Sequence, residues 1–328
     1  MRDALRRAHR QQGRKPLGSA VMLRANLGLL VTVLAWGSMI PCVNAMVPRW
    51  DPFLLTSSRY VIAGPVFLLI VALMESRHGL GRALANWRVW VLGMVGVGMF
   101  GPLLIVGFAH TNPVTAAVLS AMAPAINAAV AWIGFREPLD RSSLPAIGLA
   151  IAGGVIATYD PAGASGPFAL RGGEILIVGA TACWAWYSLM AQRWLAGWSQ
   201  LRITGTTIAT GSVASVAVYI LAALVGLAPL WPTVPHAALD VGLFSWMTVG
   251  PVILGFFLWH YAVRRLGFVV ASLFLNLTPV VAILITAVAF AVYPTTQQLI
   301  GGALVLAGVL QSQLRRLPLR ARAPASAE

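Results

Sequence analysis

Apolar residues in this chain fall in long unbroken runs, and polar residues collect in the short gaps between them. Ten runs can be read: 27–47, 52–74, 87–108, 113–134, 143–158, 174–192, 203–227, 239–263, 269–291 and 296–314. A bilayer crossing takes about 20 apolar residues, and a backbone surrounded by lipid must satisfy its own hydrogen bonds. The pattern therefore predicts an all-α polytopic membrane protein with ten transmembrane helices. The gaps carry the helix breakers: Pro48 and Pro52, Asn112-Pro113, Arg136 to Arg141, Arg264-Arg265 and Pro294. The longest linkers, 159–173 and 228–238, are rich in Pro, Gly and Ala, and no gap is long enough for a soluble domain. The run 27–47 is too long for a signal-peptide core and lacks a small-x-small exit, so it is expected to be retained as the first helix.

Composition agrees with the pattern. Of 328 residues, 59% are apolar and 10% charged, with a mean hydropathy of +0.81. A soluble domain is about 45–50% apolar and about 25% charged. A disulfide scaffold, a disordered chain and a nucleic-acid-binding domain are excluded on this basis. Cys42 and Cys183 both fall inside apolar runs and read as buried, inert thiols.

The net charge of +14 changes meaning once it is sorted by position. With the N-terminus inside and alternating crossings, 20 of the 23 basic residues fall on the cytoplasmic side. Only Arg49 and Arg171 lie in outer gaps, and Arg59 lies within the second run. Positive residues accumulate inside, so both termini are expected in the cytoplasm of an inner-membrane protein. The basic arm 1–26 then reads as topogenic, and 315–328 as a cytoplasmic tail.

Residues 27–158 and 174–314 resemble each other across the linker 159–173. LAWGSMIPCVNA aligns with ACWAWYSLMAQR, pairing Trp36 with Trp184 and Asn44 with Gln192. VLSAMAPAINAAVA aligns with LFLNLTPVVAILIT, pairing Pro124 with Pro279. IGLAIAGGV aligns with IGGALVLAGV, pairing Gly148 with Gly302. Five crossings per half is an odd number, so the second half is inverted relative to the first. Inverted repeats with proline-broken helices are an architecture of alternating-access transporters.

Trp36-Gly37, Arg59-Tyr60, Pro124, Glu137-Pro138-Leu139, Trp259-His260-Tyr261-Ala262 and Asn276-Leu277-Thr278-Pro279 carry a family resemblance. With the doubled five-helix pattern, they make the chain similar to the ten-helix branch of the EamA-type drug/metabolite transporter superfamily, over roughly residues 27–312. One departure stands out: the acid before the last helix of each half is Glu137 here, but the second half has Val292-Tyr293-Pro294. The resemblance implies transport of small metabolites, often export of amino acids or related solutes, through a cavity between helices 1, 3, 4, 6, 8 and 9.

Candidate substrate contacts follow from polar and aromatic groups at depth. Trp36 and Trp184 sit near the middle of their runs, where an indole either packs helices or lines a cavity, with Tyr187 beside the second. Ser38, Asn44 and Gln192 are polar within runs, and Asn127 and Asn276 flank the prolines that free backbone carbonyls. His260 lies one or two turns inside the eighth run. Interhelical hydrogen bonding is the competing reading for the amides, and a snorkelling or carbonyl-bonded arginine for Arg59. His260 and His110 have no metal-ligand companions, so neither a metal site nor a cofactor is expected. The small-residue pairs Gly148/Ala152 and Ala303/Ala307 suit close packing within the bundle or across a homodimer.

Together these readings predict a carrier of a small, amphipathic, amino-acid-like solute, acting as an exporter in contact with lipid and with no nucleic-acid partner. A sugar-phosphate or nucleotide-sugar exchanger is the alternative, but it would want several basic residues at depth. An intramembrane enzyme would need paired acids, a metal cluster or a Ser with a base, and the runs contain none. A membrane scaffold would need no inverted repeat.

Overall fold

A computed structural model describes residues 19–75, 79–136, 144–159, 171–266, 271 and 274–316. Most of the N-terminal arm, most of the linker and the C-terminal tail lie outside the described residues. Every regular element among the described residues is helical. Six helices are long and apolar enough to cross a membrane, and a bent pair makes a seventh. The six are α1 (Ala20–Met46), α2 (Pro52–Met74), α3 (Trp87–Ala109), α6 (Gly173–Trp194), α7 (Gln200–Leu224) and α8 (Ala238–Leu266). The bent pair is α4 (Pro113–Ala121 and Ala123–Phe135), and three shorter apolar helices are α5 (Leu144–Thr158), α9 (Thr278–Phe290) and α10 (Thr296–Arg316). A single turn of helix, Leu80–Leu84, precedes α3.

The start of α1 departs from the expected boundary. The helix begins at Ala20, inside the stretch read as a basic arm, and includes Arg24. The exposed Arg24 side chain can carry its charge toward the headgroups while its backbone stays helical. At the proline breaks the side chains explain the starts. Asp51 accepts from the Leu54 amide at 2.8 Å with Pro52 in the first turn, and Asn112 accepts from the Val114 amide at 2.9 Å with Pro113 in the first turn. Proline costs nothing there, because its missing N–H would have been unpaired anyway.

The aligned prolines open helical segments at corresponding places. Helix α4 bends by 50° at Met122, just before Pro124. Asn276 and Leu277 form a turn before α9, whose second residue is Pro279. A second matched irregularity was not visible in the sequence. Helices α3 and α8 each contain a stretch of wider π-helix, Met94–Met99 and Thr248–Gly255.

Packing distinguishes buried stripes from lipid-facing ones. Phe67, Leu29, Leu55, Ile105 and Met247 are shut away, whereas Leu34, Leu73, Ile133, Ile175, Leu221 and Val288 are exposed around the outside. A surface so apolar suits hydrocarbon rather than water. Helices α5 and α10 approach closely because Gly153 and Gly301 face each other: a Cβ on Gly153 would sit 2.8 Å from Val305 Cγ2, and one on Gly301 would sit 2.8 Å from the Ala157 nitrogen. Gly148, Ala152, Ala303 and Ala307, the expected small-residue pairs, instead point outward. The α5–α10 contact within the bundle therefore uses a different face from those pairs.

Candidate functional site

A cavity opens where α2, α3, α6, α7 and α8 meet. Its lining is Tyr60 from α2, Gly96, Val97 and Phe100 from α3, Trp184 and Tyr187 from α6, Thr204, Thr207 and Ile208 from α7, and Phe256 from α8. In this conformation the space is nearly closed, with about 10 Å³ free, roughly the room of one water molecule and far below the ~300–1,000 Å³ of an open small-ligand pocket. Both π-helical stretches border it: Gly96 and Val97 lie within the first, and Phe256 follows the second. Such irregular turns recur at functional sites, because the extra residue redirects side chains and weakens local helix bonding.

The walls are aromatic. Trp184 packs against Phe100 at 5.1 Å between ring centroids, against Tyr187 at 5.2 Å and against Phe256 at 6.2 Å. One side is polar. The Tyr187 hydroxyl and Thr207 Oγ1 share a hydrogen bond of 3.1 Å, and Thr204 Oγ1 and His260 Nε2 share one of 2.7 Å. His260 is buried, and its Nδ1 has no partner. In a more open state an apolar body would meet the rings while a polar group met the hydroxyls.

Trp36 mirrors Trp184. It packs on Phe256 at 5.4 Å, just as Trp184 packs on Phe100, and each of these phenylalanines directly follows a π-helical stretch. The Trp36 indole N–H donates to the Pro251 carbonyl at 2.8 Å, inside the second stretch. Trp36 therefore satisfies a wide-turn carbonyl and stands behind Phe256.

The remaining sequence candidates divide. Ser38 is buried in the turn within α1, donates to the Ala35 carbonyl and accepts from the Trp246 indole at 2.8 Å. Asn44 donates to its own helix at the Ile40 carbonyl, and Asn276 is half-buried in the turn before α9. Asn127 and Gln192 are exposed, on α4 and at the end of α6. The structure thus brings together Trp184, Tyr187 and His260, places Trp36 and Ser38 beside α8, and leaves the four amides apart. Thr204 and Thr207 were missed, although their i, i+3 spacing within a run marks one polar face.

Arg59 is the other polar group at depth. It is 1% exposed, with Nε and Nη1 unpartnered, and its guanidinium carbon lies 5.9 Å from the Tyr60 ring centroid. Away from the cavity, helix ends are tied by polar contacts. Arg49 makes a two-pronged pair with the buried Asp240, Nε to both oxygens at 2.9 Å and Nη2 to Oδ1 at 2.6 Å. Asp240 pushes the Arg49 pKa upward by accepting these bonds. At the other end of α2, Glu75 accepts from the Ser199 hydroxyl at 2.5 Å and faces Arg202 at 3.8 Å.

Comparisons with known proteins agree with this geometry. The family model described as the EamA-like transporter family matches residues 23–159 and again 171–312. The chain is 27% identical over 293 residues to a Bacillus subtilis protein named uncharacterized transporter YyaM, covering 86% of this chain and 91% of that one. It is 26% identical over 300 residues to a protein of Streptantibioticus cattleyicolor named a probable terminal-alkyne amino-acid exporter, covering 92% and 97%. A crystal structure superposes with a TM-score of 0.59 at 21% identity, over 90% of this chain and 98% of that one, and so shares the fold.

Proposed function

Since the chain belongs to the EamA-like transporter family, matched once in each half, we propose that it carries a small amphipathic, amino-acid-like solute across the inner membrane by alternating access. In this reading it is an exporter and not an enzyme. Ten helices cross the bilayer as two inverted halves, 27–158 and 174–314, with both termini in the cytoplasm. The observation that carries the reading is the cavity at the junction of the halves, aromatic on most sides and lined by hydroxyls on one. The space is closed in this conformation, so a solute would enter it only in another state of the cycle. A relative named as a probable amino-acid exporter supports the same class. Trp184 and Tyr187 are the substrate-facing members of the candidate set, and His260 stands behind Thr204, to which it is hydrogen-bonded. Trp36 and Ser38 act by holding α1 against α8, Asn276 sits in the turn where α9 would hinge, and Asn127 lies just over a turn past the bend of α4.

Sugar phosphates and nucleotide sugars fit poorly, because Arg59 is the one arginine set deep in the described spans and doubly charged ligands favour clusters of bases. The test is counterflow of radiolabelled amino acids into proteoliposomes made with purified protein. Exchange of at least one apolar amino acid is expected, saturable and weakened by Trp184→Ala. Exchange of glucose 6-phosphate without any amino acid would replace this reading with the sugar-phosphate one.

A further inference from the structure

We propose that Arg59 is the anchor for a carboxylate borne by the transported solute. This rests on the carrier reading above and specifies its substrate as an amphipathic carboxylate, amino acids included. A guanidinium stays charged at any physiological pH and presents five N–H donors. Buried charges are ordinarily paired, because an unpaired one loses its hydration without compensation. Arg59 departs from that rule. It is almost wholly buried eight residues into α2, yet Nε and Nη1 have no acceptor. No described carboxylate pairs with it: Asp240 is taken by Arg49, and Glu75 by Arg202 and Ser199. Arg49 and Arg202 thus pair with described carboxylates at helix ends, whereas the deep Arg59 pairs with none of the described ones.

Its position gives that vacancy a use. Tyr60, the next residue, lines the cavity, and the Arg59 guanidinium carbon lies 5.9 Å from the Tyr60 ring centroid. Arg59 is also within electrostatic range of Cys42 on α1. The rings of Trp184, Phe100 and Phe256 would hold the apolar part of the solute, and Thr204, Thr207 and Tyr187 a polar substituent. The carboxylate would reach Arg59 once the Tyr60 ring swings aside. In the present conformation Arg59 is closed off, as one state of an alternating cycle requires. A guanidinium offers N–H groups along more than one edge of its plane, so a planar carboxylate can approach side-on or end-on.

The experiment uses wild-type protein in proteoliposomes, with counterflow of labelled L-leucine, L-methionine and L-phenylalanine. Unlabelled competitors are each free acid, its amide and its decarboxylated amine. The acid should compete at least about tenfold better than the amide or amine, the scale of a hydrogen bond to a charged group. Arg59→Gln should reduce that preference to within about threefold by lowering affinity for the acid alone. Arg59→Lys, which keeps the charge and loses the fork, should raise the KM of the acid and leave the potency of the amide unchanged. Equal competition by acid and amide in wild type overturns the anchor while leaving the carrier intact. So does a preference that survives Arg59→Gln, or a parallel loss of acid and amide in Arg59→Lys should the glutamine variant fail to fold. If wild type exchanges none of the three amino acids, the carrier reading itself falls, and the anchor with it.

Discussion

At the scale of the residue, spacing in the sequence singled out aromatic groups that the structure gathers around one cavity and α8, and amides that it sets apart. Trp36 and Trp184 were legible because an indole at mid-span has no headgroup region to meet, and both occupy equivalent packing positions. Asn127 and Gln192 failed to join them because one residue of rotation, about 100° on a helix, separates a cavity face from a lipid face. An isolated run with no polar stripe does not reveal its rotation. The two tryptophans should respond differently to truncation. Trp184→Ala removes a cavity wall, so the solute KM is expected to rise by about tenfold or more, with abundance near wild type. Trp36→Ala leaves the Pro251 carbonyl unpaired, which costs about 1–3 kcal/mol; thermal unfolding in detergent should shift downward before transport is considered. A transport-only defect in Trp36→Ala would place it in the substrate path instead. Elsewhere, Ala291 ends α9 at φ 52, a left-handed conformation that penalises a side chain. Ala291→Gly should therefore stabilise by roughly 1 kcal/mol, raising the apparent Tm without altering counterflow.

Between elements, the contacts that close the bundle are arranged in pairs. The end of α1 meets the start of α8 through Trp50 stacked on Phe244, 5.1 Å apart and within 3° of parallel, and through Arg49–Asp240. The end of α6 meets the start of α3 through Trp194 against Trp87 at 5.3 Å. The first of these closures carries an ion pair, Arg49 with Asp240. The helix breaks at Pro52, Pro113 and Pro124 were readable because each side chain acts locally. The π-helical stretches were not, since Gly-rich and Pro-containing runs are equally consistent with a kink or a straight helix. Breaking the ion pair should favour opening on that side. The pair is partly exposed and screened by solvent, so Asp240→Asn is expected to raise the population of the opened state by at most about fivefold. Cys42, buried on α1 below this closure, provides the readout in a Cys183→Ala background. Its reaction with an impermeant thiol reagent from outside should accelerate by that factor, and an unchanged rate would show that the ion pair does not latch the helices.

For the molecule as a whole, what the sequence made legible was the repeat, because doubled motifs survive where helix rotations are lost. The family model matches twice, on either side of the linker. How the halves face the two aqueous phases rests on the arginine distribution, and it has a direct test. With Cys42 and Cys183 removed, Gly163→Cys and Thr233→Cys should label from outside, whereas Leu80→Cys and Leu139→Cys should not. The same whole-chain view bears on energy coupling. A proton-driven carrier needs a titratable group deep in the bundle whose surroundings change between states. The described acids are committed at helix ends instead. Asp51 caps α2, Glu75 holds Ser199, Glu174 accepts from the Arg171 amide at 3.0 Å, and Asp240 holds Arg49. The other five acids of the sequence lie in the tails or in the gaps between runs. His260 remains the single deep candidate, and its Nε2 is engaged with Thr204. Flux should therefore follow the gradient of the solute itself, by exchange or facilitated diffusion. Counterflow in proteoliposomes is expected to proceed with the pH gradient collapsed, and an imposed pH gradient should drive no accumulation. Accumulation that disappears with a protonophore would overturn this. If His260→Asn then abolished the accumulation while counterflow persisted, the buried ring with its free Nδ1 would be the coupling group, and Thr204 its partner in one state of the cycle.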